Sequence, residues 1–404
     1  MKFAEVTDIT IPQGEVIKIE ETSGLKRVLW EKKRVFASVY AIGSNASQWS
    51  GGASPDSQGF YPINIPSAYK LLEHVSGFGA KVNGGGYYFC GVKSFKNSKS
   101  GAASTMIETV STPEKMTVGS ENVNQVLYVP LSHYTWTATS TNPLKKNEQT
   151  YNGYLLLICY GGNKIKALGS NVRLFYNYEA SGTSNTSWYS SHSESITISN
   201  ASELVFCKFP QQHVPTVNLN SGVYFLADDG ASVWNVYSES NHKWAFVKKN
   251  ASSVGLDYKA VKLFQPYNLV SNGSTFGNAA SKNPLFRYLS ESKLLDNDAS
   301  NFSMGTIKDA WVYKTTAYVQ TSNNRLYEKK GTASWELLGD FDIKKLLMIS
   351  ESNMLLLTQE GKLYHKGTSI TGITDAHTEI TQIYPSVSIY DFTYGGSTLT
   401  VMKE

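Results

Sequence analysis

Leu355-Leu356-Leu357-Thr358-Gln359-Glu360-Gly361-Lys362-Leu363-Tyr364 says more about this chain than any other stretch. Three leucines make an apolar strand, Glu360-Gly361 make a tight turn, and Lys362-Leu363-Tyr364 begin a return strand running toward Gly367. Glycine takes positive φ without steric cost, so the phrase reads as a β-hairpin. It recurs. Ala317-Tyr318-Val319 passes through Asn323-Asn324 to Arg325-Leu326-Tyr327, and Val223-Tyr224-Phe225-Leu226 through Asp229-Gly230 to Ser232-Val233-Trp234. Tyr154-Leu155-Leu156-Leu157-Ile158 passes through Gly161-Gly162-Asn163 to Lys164-Ile165-Lys166. A hairpin repeated every roughly 37–47 residues, or about twice that where a copy is degenerate, marks a propeller or similar array.

Composition agrees. Hydrophobic residues make up 41% and charged residues 17% of 404, with 25 Tyr, 17 Phe and 8 Trp. Aromatic enrichment with abundant Ser, Thr, Asn and Gly favours strands and turns and argues against disorder. The net charge of +4 is spread thinly, with no run of five Lys or Arg, so no nucleic-acid partner is expected. Cys90, Cys159 and Cys207 sit singly in or beside apolar strands and read as buried thiols. The first residues lack an apolar signal core, and no stretch approaches 18 apolar residues, so neither secretion nor membrane insertion is expected.

Residues 1–32 differ from the rest. Ile9-Thr10-Ile11, Val16-Ile17-Lys18-Ile19 and Arg27-Val28-Leu29-Trp30 are short strands separated by turns, too small to be stable alone. The run Ile9-Thr10-Ile11-Pro12-Gln13-Gly14-Glu15-Val16, then Ile19, then Val28-Leu29-Trp30-Glu31-Lys32, resembles the opening of tailed-bacteriophage structural proteins of tail and fibre type. The resemblance covers less than a tenth of the chain. It implies a virion component made in the host bacterial cytoplasm, anchored through Ile11, Pro12, Val16 and Trp30, with other virion proteins as partners and several copies on the particle.

Residues 33–404 read as the propeller body. The best copy, 346–367, and the close copy, 310–331, resemble regulator-of-chromosome-condensation-type repeats, as does the phrase ending in Gly43-Ser44-Asn45. The chain ends supply complementary halves of one repeat: the stretch after Lys33 gives a second half, and 388–402 gives a first half. Joining them in one blade would close the ring and remove two strand edges. The expected architecture is therefore all-β, a propeller of about seven blades closed by both termini. Polar inserts are expected at 44–66, 94–112, 139–150, 178–200 and 270–283, and one short helix at 67–74.

Candidate chemistry is sparse. The seven histidines show no HExxH or paired metal spacing, and no metal or cofactor is expected. There is no Gly-x-Ser-x-Gly elbow. Gly84-Gly85-Gly86 precedes a strand, not a helix, and reads as a turn. Asp296-Asn297-Asp298 starts like a calcium loop but lacks its glycine and its terminal Glu. Asp228-Asp229, Asp340 with Asp342, and Asp309 are the carboxylates a propeller glycosidase would draw on. Trp188 and Tyr189, within a Ser/Thr/Asn/Gly loop, and Trp49 and Trp136 are the candidate ligand-binding rings, suited to a host-surface glycan or protein. The expected role is binding without catalysis, as a virion protein displaying a propeller. A cellular interaction module and a propeller glycoside hydrolase are the alternatives.

Overall fold

The computed structural model describes residues 15–22, 25–32, 35–95, 107–136, 146–162, 164–170, 189–197, 302–313, 316–330 and 333–404. It also describes short strands at 206–208, 224–226, 232–235, 247–250, 260–263, 288–290 and 293–295. Among the described residues the structure is all-β apart from one turn of helix, Ala46–Trp49.

Four-stranded antiparallel meanders are the building unit. Ile307–Tyr313, Thr316–Thr321, Arg325–Lys330 and Glu336–Asp340 form one. Ile343–Met348, Met354–Thr358, Leu363–Gly367 and His377–Ile383 form the next. An eleven-stranded sheet holds the remaining long strands, and its register resolves it into three more such units. The long strand Tyr61–His74 pairs through Tyr61–Ala68 with one neighbour and through Ala68–His74 with another. Farther along, Ile107–Val118 and Glu121–Trp136 pair only at their hairpin tip, Thr117↔Asn122 and Val118↔Glu121. The small sheets between 206 and 295 add one four-stranded unit and one three-stranded sheet. The blade number and the closing of the whole ring depend also on residues 171–301, of which only short strands are described.

Both chain ends meet in one unit. Thr398–Lys403 pairs with Ile389–Gly395 on one side and with Ala37–Gly43 on the other, in register Val401↔Tyr40 and Leu399↔Ile42. Tyr61–Ala68 completes it. The hairpin Glu15–Thr22 with Leu25–Lys32 stands as its own two-stranded sheet, with Trp30 opposite Ile17. Ile11 and Pro12 lie outside the described residues.

The consecutive apolar runs have a packing cause. Leu355 and Leu357 point into a cluster shared with Phe392, Leu399 and Val401 of the closing unit. Met354 and Leu356 point the other way, into a cluster with Tyr318 and Leu326 of the preceding unit. A strand covered on both faces has no solvent side, so its sequence does not alternate. Gly77–Val82, Thr316–Thr321 and Thr398–Lys403, each the second strand of its unit, are buried throughout in the same way.

Turns link each unit to the next. The Asn324 carbonyl accepts from Phe341 N at 2.8 Å, and the Gly361 carbonyl from Ile389 N at 3.0 Å. Gly361 has φ +81°, and a Cβ there would stand 2.9 Å from Ser388 Oγ and 3.1 Å from the Ile389 carbonyl. Position 361 favours glycine for conformation and for close approach alike.

Two expectations are corrected. Residues 67–74 are not helical but form the second half of a fourteen-residue strand, while the helix falls at Ala46–Trp49. The expected inserts are partly ordered, with strand at Ile107–Val118, Lys146–Tyr160 and Tyr189–Thr197.

Candidate functional site

Paired ionisable side chains, partly or fully buried, act as clasps. Lys345, on the first strand of its unit, donates to Asp391 Oδ1 at 2.9 Å, to the Leu71 carbonyl at 2.9 Å and to the Phe392 carbonyl at 2.5 Å. Asp391 Oδ2 accepts from Leu71 N at 2.7 Å. One lysine and one aspartate thus tie together three units, two of them drawn from opposite ends of the chain. Glu73 lies close enough to feel the Lys345 charge, yet burial dominates and raises its carboxyl above the usual range.

A second clasp joins the two preceding units. Glu328 is 3% exposed and accepts from Tyr318 Oη at 2.5 Å and Lys366 Nζ at 2.8 Å, with Lys330 Nζ at 3.2 Å. Burial alone would raise this carboxyl, but the Lys366 ammonium and the Tyr318 hydroxyl outweigh it and hold it below its ordinary value. A third clasp pins the 50–60 loop. Lys403 reaches Asp56 Oδ2 at 2.7 Å and lies over the rings of Tyr40 and Phe60, at 4.6 and 5.2 Å.

Two histidines are buried and neutral. His74 Nε2–H donates to the Val92 carbonyl at 2.8 Å, which leaves Nδ1 to accept from Tyr87 Oη at 3.2 Å. Burial lowers it to about 4. His365 also falls to about 4, through burial with His377 adding to it.

What the clasps leave open is a shallow depression of about 580 Å³ beside the closing unit. Ser369, Ile370, Thr371, Thr374, Tyr394 and Ser397 line it. It offers hydroxyls, one aromatic ring and one aliphatic side chain, and no charge. The segment 368–376 that forms one wall comes from the last unit, and Tyr394 and Ser397 come from the closing one.

The expected site residues are not brought together there. Trp49 is 3% exposed and packs on Phe78 with centroids 5.3 Å apart, so it is a core residue and not a displayed ring. A helical turn in a Gly/Ser-rich stretch carries its side chain inward, which loop-like composition concealed. Trp136 ends the strand Glu121–Trp136, and Tyr189 starts Tyr189–Thr197 opposite Ser170. Trp188 lies outside the described residues, as do Asp228, Asp229, Asp296 and Asp298. Val16 and Trp30 sit on the N-terminal hairpin strands. Asp342 pairs with Lys308 at 2.8 Å, and Asp340 faces Arg325 at 3.9 Å. Among the described residues, no group of three potential metal ligands occurs and no helix is long and apolar enough to cross a membrane. Cys90 and Cys159 are buried free thiols. Sequence reasoning missed the clasps and the depression, whose parts lie far apart in the chain.

No family model matches this chain, and no curated protein does. Solved structures do. Yeast RCC1 (Prp20), in its complex with Kap60, matches with a TM-score of 0.50 at 11% identity over 92% of this chain and 90% of that one. The body has the RCC1-type β-propeller fold. Human WBSCR16 is similar at a TM-score of 0.47 and 12% identity, over 91% of this chain and 100% of that one.

Proposed function

We propose that this propeller is a protein-interaction module whose work is binding without covalent chemistry. The observation that carries the reading is how its paired charges are used. Lys345, Asp391, Glu328, Lys366, Lys403 and Asp56 each hold one segment against another, and the open depression between the last and closing units carries no ionisable group apart from Tyr394. A propeller face with an uncharged, hydroxyl-lined recess suits recognition of another macromolecule better than acid–base work. The yeast propeller of like fold is itself seen bound to a protein, Kap60. Capture experiments with tagged chain, followed by cross-linking and mass spectrometry, test this. A Thr371→Arg variant that melts like wild type is expected to lose the captured partner. Undiminished capture, with cross-links remote from 369–374, would count against it.

A second reading is kept by the N-terminal hairpin. Its sheet is separate from the body's sheets, and the register puts Ile17 with Trp30 and Ile19 with Val28 as opposed pairs. That arrangement supports an anchor on a phage particle, by strand addition or apolar contact. On this reading, deleting residues 1–32 leaves a folded body that no longer enters particles.

A further inference from the structure

We propose that residues 368–376 form a strap across the seam between the last unit and the closing unit, latched at its root by the His365–His377 pair and released by acid. The segment leaves Leu363–Gly367 and returns as His377–Ile383, but it does not stay over its own unit. Tyr394, on the first strand of the closing unit, and Thr371 of the strap line the same depression. The Tyr384 hydroxyl donates to the Gly372 carbonyl. Gly372 has φ +89° and lies so close to Ile42 that a Cβ would stand 3.1 Å from the Ile42 carbonyl. Ile373 is buried in the cluster that holds Phe392, Leu399 and Val401. Ile370 and Ile373 bond each other's backbone at 2.9 and 2.8 Å, which closes the strap into a compact turn.

The root of the strap is a hydrogen bond between two rings. His365 Nδ1 and His377 Nδ1 are 2.9 Å apart. Asn353 Nδ2 donates to Thr368 Oγ1 at 3.0 Å and to Ser350 Oγ at 3.2 Å, which turns its Oδ1 toward His365 Nε2 at 3.3 Å. An amide oxygen only accepts, so Nε2 carries the His365 proton and Nδ1 is bare. His377 Nδ1–H is therefore the donor. Protonation of both rings puts an N–H on each Nδ1 and sets two donors against each other, and the His365 ring, with 0% exposure, has no water to turn to.

Among the described residues, His377 is the charge that bears on His365. The strand Met354–Thr358 contributes only Met, Leu and Thr. Lys366 is engaged by Glu328, and Glu351, Asp375 and Glu379, on the flanking turn, strap and strand, are exposed. Because the folded His365 sits below the ordinary histidine value, the latch is intact above that value and is lost as pH falls from there toward about 4. The strap supplies Ser369, Ile370, Thr371 and Thr374 to the depression, so release reshapes that face whatever binds there.

Hydrogen–deuterium exchange on the full chain at about pH 7 and about pH 4.5, corrected for intrinsic rates, tests the latch. Peptides over 368–377 are expected to lose about tenfold in protection at the lower pH while Thr398–Lys403 keeps its own. In a His377→Gln variant the amide donates to neutral His365 and turns its oxygen to accept from the protonated ring, so the acid response is expected to vanish. The proposal is overturned by a strap that is indifferent to pH, by one that opens only together with Thr398–Lys403, or by a folded His377→Gln variant that opens like wild type. The wild-type comparison decides by itself should that variant fail to fold.

Discussion

Single residues in this protein are constrained by what the next unit brings against them. Gly361 is the clearest case. Its positive φ could be guessed from Glu360-Gly361 between two apolar runs, but the approach of Ser388 and Ile389 could not, because those residues belong to the following unit. Gly361→Ala is expected to cost about 2 kcal/mol, beyond the usual penalty for an unfavourable φ, since the new methyl must displace backbone. Chemical denaturation of the two proteins measures it. Trp49 shows the opposite limit of residue-level reading. Its neighbours Ser47, Gln48, Ser50 and Gly51 have loop composition, and only the packing of Phe78 against its ring shows that it is core.

At the scale of the element, position within the unit decides energetic weight. Leu356 is on a second strand with 0% exposure, and Leu337 is on a fourth strand with 48% exposure. Leu356→Ala is expected to destabilise by about 3 kcal/mol, and Leu337→Ala by no more than about 0.5 kcal/mol. Urea unfolding of both variants checks the contrast, and equal costs would deny that second strands are sandwiched. Hairpin elements were legible because their turns carry Gly and Asn. The 67–74 segment was not legible. Lys70, Leu71, Leu72 and Glu73 have helical propensity, but pairing with Gly77–Val82 on one side and the clasp through Leu71 on the other hold it extended. A local preference of a few tenths of a kcal/mol per residue loses to two sets of tertiary contacts.

At the scale of the whole molecule, the buried histidines among the described residues contribute to the acid response. His74 and His365 are both held to about 4 in the fold, below the ordinary value of 6.5. Between those limits the unfolded chain takes up protons that the folded chain refuses, so stability falls as pH falls. Each histidine contributes at most about 1.4 kcal/mol per pH unit. Glu328 and Asp56, held below their ordinary values, keep their contribution until pH falls through the carboxylate range and then lose it. Glu73, raised by burial, acts in the reverse direction and offsets part of the loss. Tm is therefore expected to drop steadily from about pH 6.5 to about pH 4.5, and a flat profile across that window would contradict the buried neutral rings.

From its residues alone this chain settled that it is a repeating β-hairpin protein, because turn chemistry and apolar runs are local and survive in the order of letters. The same reading placed the two ends of the body in one sheet, since each end supplies a complementary half of a unit. The clasps, the strap and the recess belong to the tertiary structure. Lys345 meets Asp391 and Leu71, and Thr371 and Tyr394 line one recess, only because neighbouring units stack face to face, and a contact between faces leaves no periodic trace in the sequence.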